Sequence, residues 1–154
     1  MIEGRGTAIG AKTLSGYPGI IIANAMFLGF MALFGLTHDI LSYWSGEGRF
    51  EAFLFGDPRA IGFVEAHGLA GAIAVAALVH ARSNPIFWHV FLGLVHTFLA
   101  TCNFIFFDGF VATGETRLAI MVTTAHYALT ALHAVLIVNT VQLGLRPGPK
   151  GSAT

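Results

Sequence analysis

The chain has 154 residues, of which 55% are hydrophobic and only 10% charged, with a formal net charge of zero and a mean hydropathy of +0.73. A soluble domain carries about 25% charged residues, so this chain is short of the charge a solvated surface needs. Its neutral balance gives no footprint for a nucleic-acid partner, and its single cysteine, Cys102, excludes an internal disulfide.

Residues 1–17 read as a cytoplasmic N-terminal tail with Arg5 and Lys12. Four apolar runs follow, Pro18 to Trp44, Ala60 to Ala81, Ile86 to Phe107 and Thr116 to Leu143. Each is near the roughly 20 residues that cross a bilayer. Backbone groups in hydrocarbon must be satisfied within the segment, so the runs are expected to be helices. The expected fold is all-α, an integral membrane four-helix bundle running up-down-up-down over residues 18–143. Residues 144–154 are expected to form a disordered cytoplasmic tail, because Arg146-Pro-Gly-Pro-Lys150 is rich in Pro and Gly.

The connections set the orientation. Arg5, Lys12, Arg82, Arg146 and Lys150 share one side, against Arg49, Arg59 and Arg117 on the other. The excess of basic residues places both termini in the cytoplasm of a multi-pass cell-membrane protein. Tyr43 and Trp44 at one level, and Tyr17 and Trp88 at the other, suit the two interfaces. In the longest loop, Ser45 to Arg59, Phe50, Phe53 and Leu54 have helical spacing and suggest a short surface helix. On the second run, Ala66, Ala70, Ala74, Ala77 and Ala81 form a small face suited to close helix packing.

The seven histidines are the unusual feature. A spacing of seven returns a side chain to within roughly 20° of the same helix face. His126 and His133 have that spacing, as do His89, His96 and Asn103, and Asn24, Met31 and His38. Polar groups in a bilayer turn inward, so these stripes should meet at the bundle centre. At about 1.5 Å of rise per residue, His96 and His126 fall near mid-membrane, with Met31 close to that level and His67 somewhat above it. His89, His133 and Asn24 form a second layer toward the cytoplasm. His38, Asp39, Glu65 and Asn103 lie toward the outer surface.

Imidazole ligates haem iron and other metals, and facing helices of a bundle are a common scaffold for such sites. The favoured reading is therefore a haem b-binding electron-transfer subunit of a membrane redox complex. His96 and His126 are its expected axial ligands, and His67, His133 and His89 complete the cofactor-binding set. The absence of Cys-x-x-Cys-His excludes covalently attached haem. A second reading uses His96, His126, His67 and Met31 as a copper site, since thioether and imidazole suit Cu(I), or uses the same histidines in a proton pathway with Glu65, His38 and Asp39. In a third, the chain is a cofactor-free structural or assembly subunit whose histidines bond Thr123, Thr130 or Asn103 and tie helices together. The expected partners are the lipid bilayer and either other membrane subunits or further copies of the chain. No soluble-enzyme motif occurs, neither a phosphate loop nor His-Glu-x-x-His nor a dinucleotide fingerprint.

The topology has a direct check. A cysteine placed at residue 150, with Cys102 replaced, should react with an impermeant maleimide only after the cells are opened. Labelling in intact cells would reverse the orientation and leave the four spans standing.

Overall fold

Four helices long and apolar enough to cross a membrane form the structure, a computed structural model that describes residues 17–47 and 54–145. They are α1 (Pro18–Trp44), α2 (Ala60–His80), α3 (Pro85–Ile105) and α5 (Thr116–Leu145), with a short α4 (Phe107–Ala112) before the last. The chain is an all-α four-helix bundle and a multi-pass membrane protein. The two expected tails and most of the expected surface helix, residues 1–16, 146–154 and 48–53, lie outside the described residues.

Local chemistry starts and stops these helices. Asn84 caps α3, its side-chain oxygen accepting the Phe87 N–H at 3.2 Å, and Pro85 opens the helix where no donor is needed. Past the end of α1, Gly46 takes φ +65°, the left-handed turn that glycine enters without a Cβ penalty. Ahead of α2, the Asp57 carboxylate accepts the Arg59 backbone N–H at 2.8 Å and is gripped by the Arg59 guanidinium. That hydrogen bonding holds the Asp57 carboxyl down at about 2. A depressed carboxylate stays charged above that value, so this turn is retained at neutral pH and released only in strong acid. The third apolar run, expected from Ile86 to Phe107, is α3 within two residues at each end, and the short α4 with Asp108 in its first turn follows it.

α1 packs along α2, α3 packs along α5, and the two hairpins meet through α1 and α3. Their shared apolar core joins Ile21, Ala25 and Leu28 of α1, Ala74 and Ala77 of α2 with Ala81 just after it, and Trp88 and Leu92 of α3. The alanines matter because they let helix backbones approach closely. The buried line of α1 is Ile21, Asn24, Ala25, Leu28, Ala32, Gly35, Asp39 and Ser42. Met31 and His38, expected on the inward stripe with Asn24, therefore sit at its edge and are half-buried. On α2 the small face is buried only in its second half, since Ala66 is exposed and Ala70 half-buried. Trp88, in the first turn of α3, is packed into the core at 7% exposure.

The outside is apolar. Phe30, Leu33, Leu69, Leu94, Phe98, Phe104 and Val135 are all exposed, while Asn24, Asp39, His89, His96, His126 and His133 are buried. Polar inside and apolar outside is the arrangement a hydrocarbon solvent selects.

The α1–α2 seam should tolerate no added bulk. Ala77→Leu forces extra carbons into a site with no exposure and should cost about 1–3 kcal/mol. Leu94→Ala, on the exposed side of α3, should shift stability by less than about 0.5 kcal/mol. Reversible unfolding in mixed micelles measures both, and equal effects would contradict the seam.

Candidate functional site: a buried chain of histidines and asparagine

In the middle of the bundle, five polar side chains from three helices join end to end. His126 on α5 and His96 on α3 meet through their Nδ1 atoms at 2.8 Å. The Nε2–H of His96 donates to the Asn24 side-chain oxygen on α1 at 2.9 Å. The Asn24 amide nitrogen donates to His133 Nε2 on α5 at 2.6 Å. His133 and His89, on α5 and α3, then meet through Nδ1 at 2.8 Å. His96 and His133 also stack, with centroids 6.2 Å apart and planes 10° from parallel.

The amide fixes the proton positions when all four rings are neutral. Its oxygen requires the proton of His96 on Nε2, so His96 Nδ1 accepts from His126 Nδ1–H. Its nitrogen requires an acceptor at His133 Nε2, so His133 carries its proton on Nδ1 and donates to His89. The chain thereby has a direction. It runs from His126, whose Nε2 is an acceptor, to His89, which carries its proton on Nε2.

Sequence spacing explains why the rings line up. His126 and His133 recur on one face of α5, and His89 and His96 on one face of α3, about 10 Å apart along each axis. Antiparallel packing of α3 and α5 sets His96 beside His126 and His89 beside His133. Gly93, midway between the α3 histidines, keeps the helices close, since a Cβ there would meet the His133 Cβ at 3.4 Å. The expected threonine partners are not used by the histidines. Thr130 donates to the His126 backbone oxygen at 3.0 Å and lies 3.3 Å from Thr97, and the Thr123 hydroxyl is buried without a hydrogen-bond partner.

A second polar pair lies between α1 and α2. Asp39 is fully buried, and its Oδ2 meets His67 Nδ1 at 2.6 Å. The other carboxylate oxygen, Oδ1, is buried and has no hydrogen-bond partner. The imidazole reaches Asp39 over Gly35, where an added Cβ would come within 2.3 Å of His67 Nε2. Gly35 is one turn before Asp39 on the buried line of α1, so the glycine provides the space through which the histidine enters.

The structure thus brings together His96, His126, His133 and His89, and adds Asn24 as the link between the layers. It does not bring His67 to them: His67 belongs to the Asp39 pair. His38 stacks at an angle on Phe34, with ring centroids 4.4 Å apart. Glu65 is exposed on α2. Among the described residues no group of three or more His, Cys, Asp or Glu is arranged to hold a metal ion. The Asp39–His67 pairing went unread in the sequence; its signal is Gly35 four residues before a carboxylate inside an apolar run.

Compared with protein-family models, with curated proteins and with solved structures, the chain has no match.

The glycine entry makes a testable point. Gly35→Ala should push the imidazole away and strand the buried carboxylate, costing about 1–3 kcal/mol. Gly62→Ala, where a Cβ has open space, should be nearly neutral. Histidine modification by diethyl pyrocarbonate, followed by peptide mapping, should show His67 more reactive in the first variant alone. Unchanged reactivity would argue against the pair.

Proposed function

We propose that this chain is a membrane subunit that holds and passes protons through its buried His–Asn chain, working in an assembly with other subunits or copies of itself, both termini cytoplasmic. The observation that carries the proposal is the continuous hydrogen-bonded run His126–His96–Asn24–His133–His89 inside an apolar bundle. Ionisable groups in a membrane interior are costly and mark proton or ion pathways. Interhelical hydrogen bonds in membranes average only about 0.6 kcal/mol, a small return if tying helices were the histidines' whole purpose. Within a histidine pair, a proton accepted at His126 Nε2 releases Nδ1–H to His96 Nδ1, and His96 then carries the charge toward Asn24. The amide conducts poorly because passing a proton requires a high-energy imidic form. Asn24 accordingly separates two proton-holding pairs and controls exchange between them.

Haem b between His96 and His126 is the second reading, favoured by their meeting on adjacent helices at a buried level. Two metal–nitrogen bonds of about 2.0 Å place the ligating atoms roughly 4 Å apart. The Nδ1 atoms are 2.8 Å apart and His96 Nε2 is engaged by Asn24, so haem binding requires the rings to part and turn. A copper site built from His96, His126, His67 and Met31 fits less well, because His67 is held by Asp39.

Two measurements separate these readings. Protein extracted with native lipids and reconstituted into vesicles should take up protons under an imposed potential, reported by a trapped pH dye. His96→Ala and His126→Ala should reduce uptake by at least about tenfold, Asn24→Leu should do the same, and His80→Ala should leave it nearly intact. No uptake by the wild-type protein would overturn the proton reading. An optical spectrum with a Soret band lost in both His96→Ala and His126→Ala would install the haem reading in its place.

A further inference from the structure

We infer that copies of this chain join head to tail, the outer face of α2 in one copy docking on the outer face of α5 in the next, with Glu65 paired to Arg117. This rests on the assembly part of the proposed function and names the surface. α2 contains one formally charged residue, Glu65, and α5 contains one, Arg117. Both are exposed. Each lies in an exposed stripe without another formal charge: Ile61, Leu69 and Val75 beside Glu65, and Met121, Thr124, Tyr127 and Val135 beside Arg117. The ion pairs within the described residues join other groups, Arg59 with Asp57 and His67 with Asp39. A carboxylate turned toward lipid is strongly disfavoured and is found instead against a partner group.

The geometry points to a second copy as that partner. α2 and α5 both begin at the same membrane surface and run in the same direction. Glu65 is about 7.5 Å of rise below the start of α2, and Arg117 about 1.5 Å below the start of α5. The difference, roughly 6 Å, is within the reach of an arginine side chain. α2 packs on α1 and α5 packs on α3, so the two charged faces lie on opposite flanks of one molecule. Symmetric pairing of like faces would set Glu65 against Glu65 or Arg117 against Arg117, which repels. Only the unlike faces complement each other. A rotation about the membrane normal that repeats this contact keeps every copy in the same orientation and closes a ring when the angle divides the circle.

The full chain in native-lipid discs tests this by mass, with helicity followed by circular dichroism. Wild type should be oligomeric. Glu65→Arg and Arg117→Glu should each weaken association at least about tenfold, and the double reversal should restore it. With Cys102→Ser as background, Glu65→Cys combined with Arg117→Cys should give a ladder beyond the dimer with a flexible bis-maleimide cross-linker, which spans the depth difference that a direct disulfide cannot, and either cysteine alone should not. A monomeric wild type would overturn both the assembly and this contact. An oligomer that both single reversals leave intact, or that the double reversal fails to restore, would overturn this contact alone. Absence of the ladder would do the same even if a reversed variant failed to fold.

Discussion

The side-chain amide of Asn24 is the group on which the interior of this bundle depends. An amide offers a donor on one arm and an acceptor on the other, in one plane. Here the oxygen takes a proton from His96 and the nitrogen gives one to His133. The two histidines come from α3 and α5, while Asn24 comes from α1. One residue therefore joins the first hairpin to both helices of the second and fixes which ring nitrogens carry protons. A leucine of similar size would fill the space and leave two buried imidazole nitrogens without partners, an expense the low dielectric makes large.

α1 organises the molecule twice. Its buried line carries Asn24 toward α3 and α5 and Asp39 toward α2. Fifteen residues, about 22 Å of rise, separate them. Between them the line is Ala25, Leu28, Ala32 and Gly35, small side chains with one leucine, so neighbouring backbones come close and the polar groups can reach across. Close packing and polar reach are thus one condition: a long interhelix distance would leave the short Asn and Asp side chains stranded.

The two polar sites differ chemically. The central chain is four imidazoles and one amide, and with the rings neutral each shared contact has one donor and one acceptor. The Asp39–His67 pair contains a carboxylate with one oxygen bonded and the other buried without a partner. His67 is one-third exposed beside an apolar groove of about 400 Å³ between α1 and α2, whose lining includes Ala25, Gly29, Gly71 and Ala74. The first site is enclosed, and the second lies at the edge of the bundle.

Much of this was legible in the residue order, and the division has a physical cause. Helix length and hydropathy alone determine four spans, because hydrocarbon permits a single polar backbone only when it is helical. The seven-residue spacing of His89 with His96 and of His126 with His133 determines two layers, because helical rise and twist are fixed numbers. Which helices are neighbours, and how each is rotated, is set by side-chain packing summed over the whole bundle. That is why Asn24 reaches His96 as well as His133, why Asp39 rather than His38 faces inward, and why His67 turns to Asp39 through the gap at Gly35. A rotation of one residue, about 100° on a helix, exchanges one of these outcomes for another, and periodicity along a single helix contains no record of that angle; the contacts between helices do.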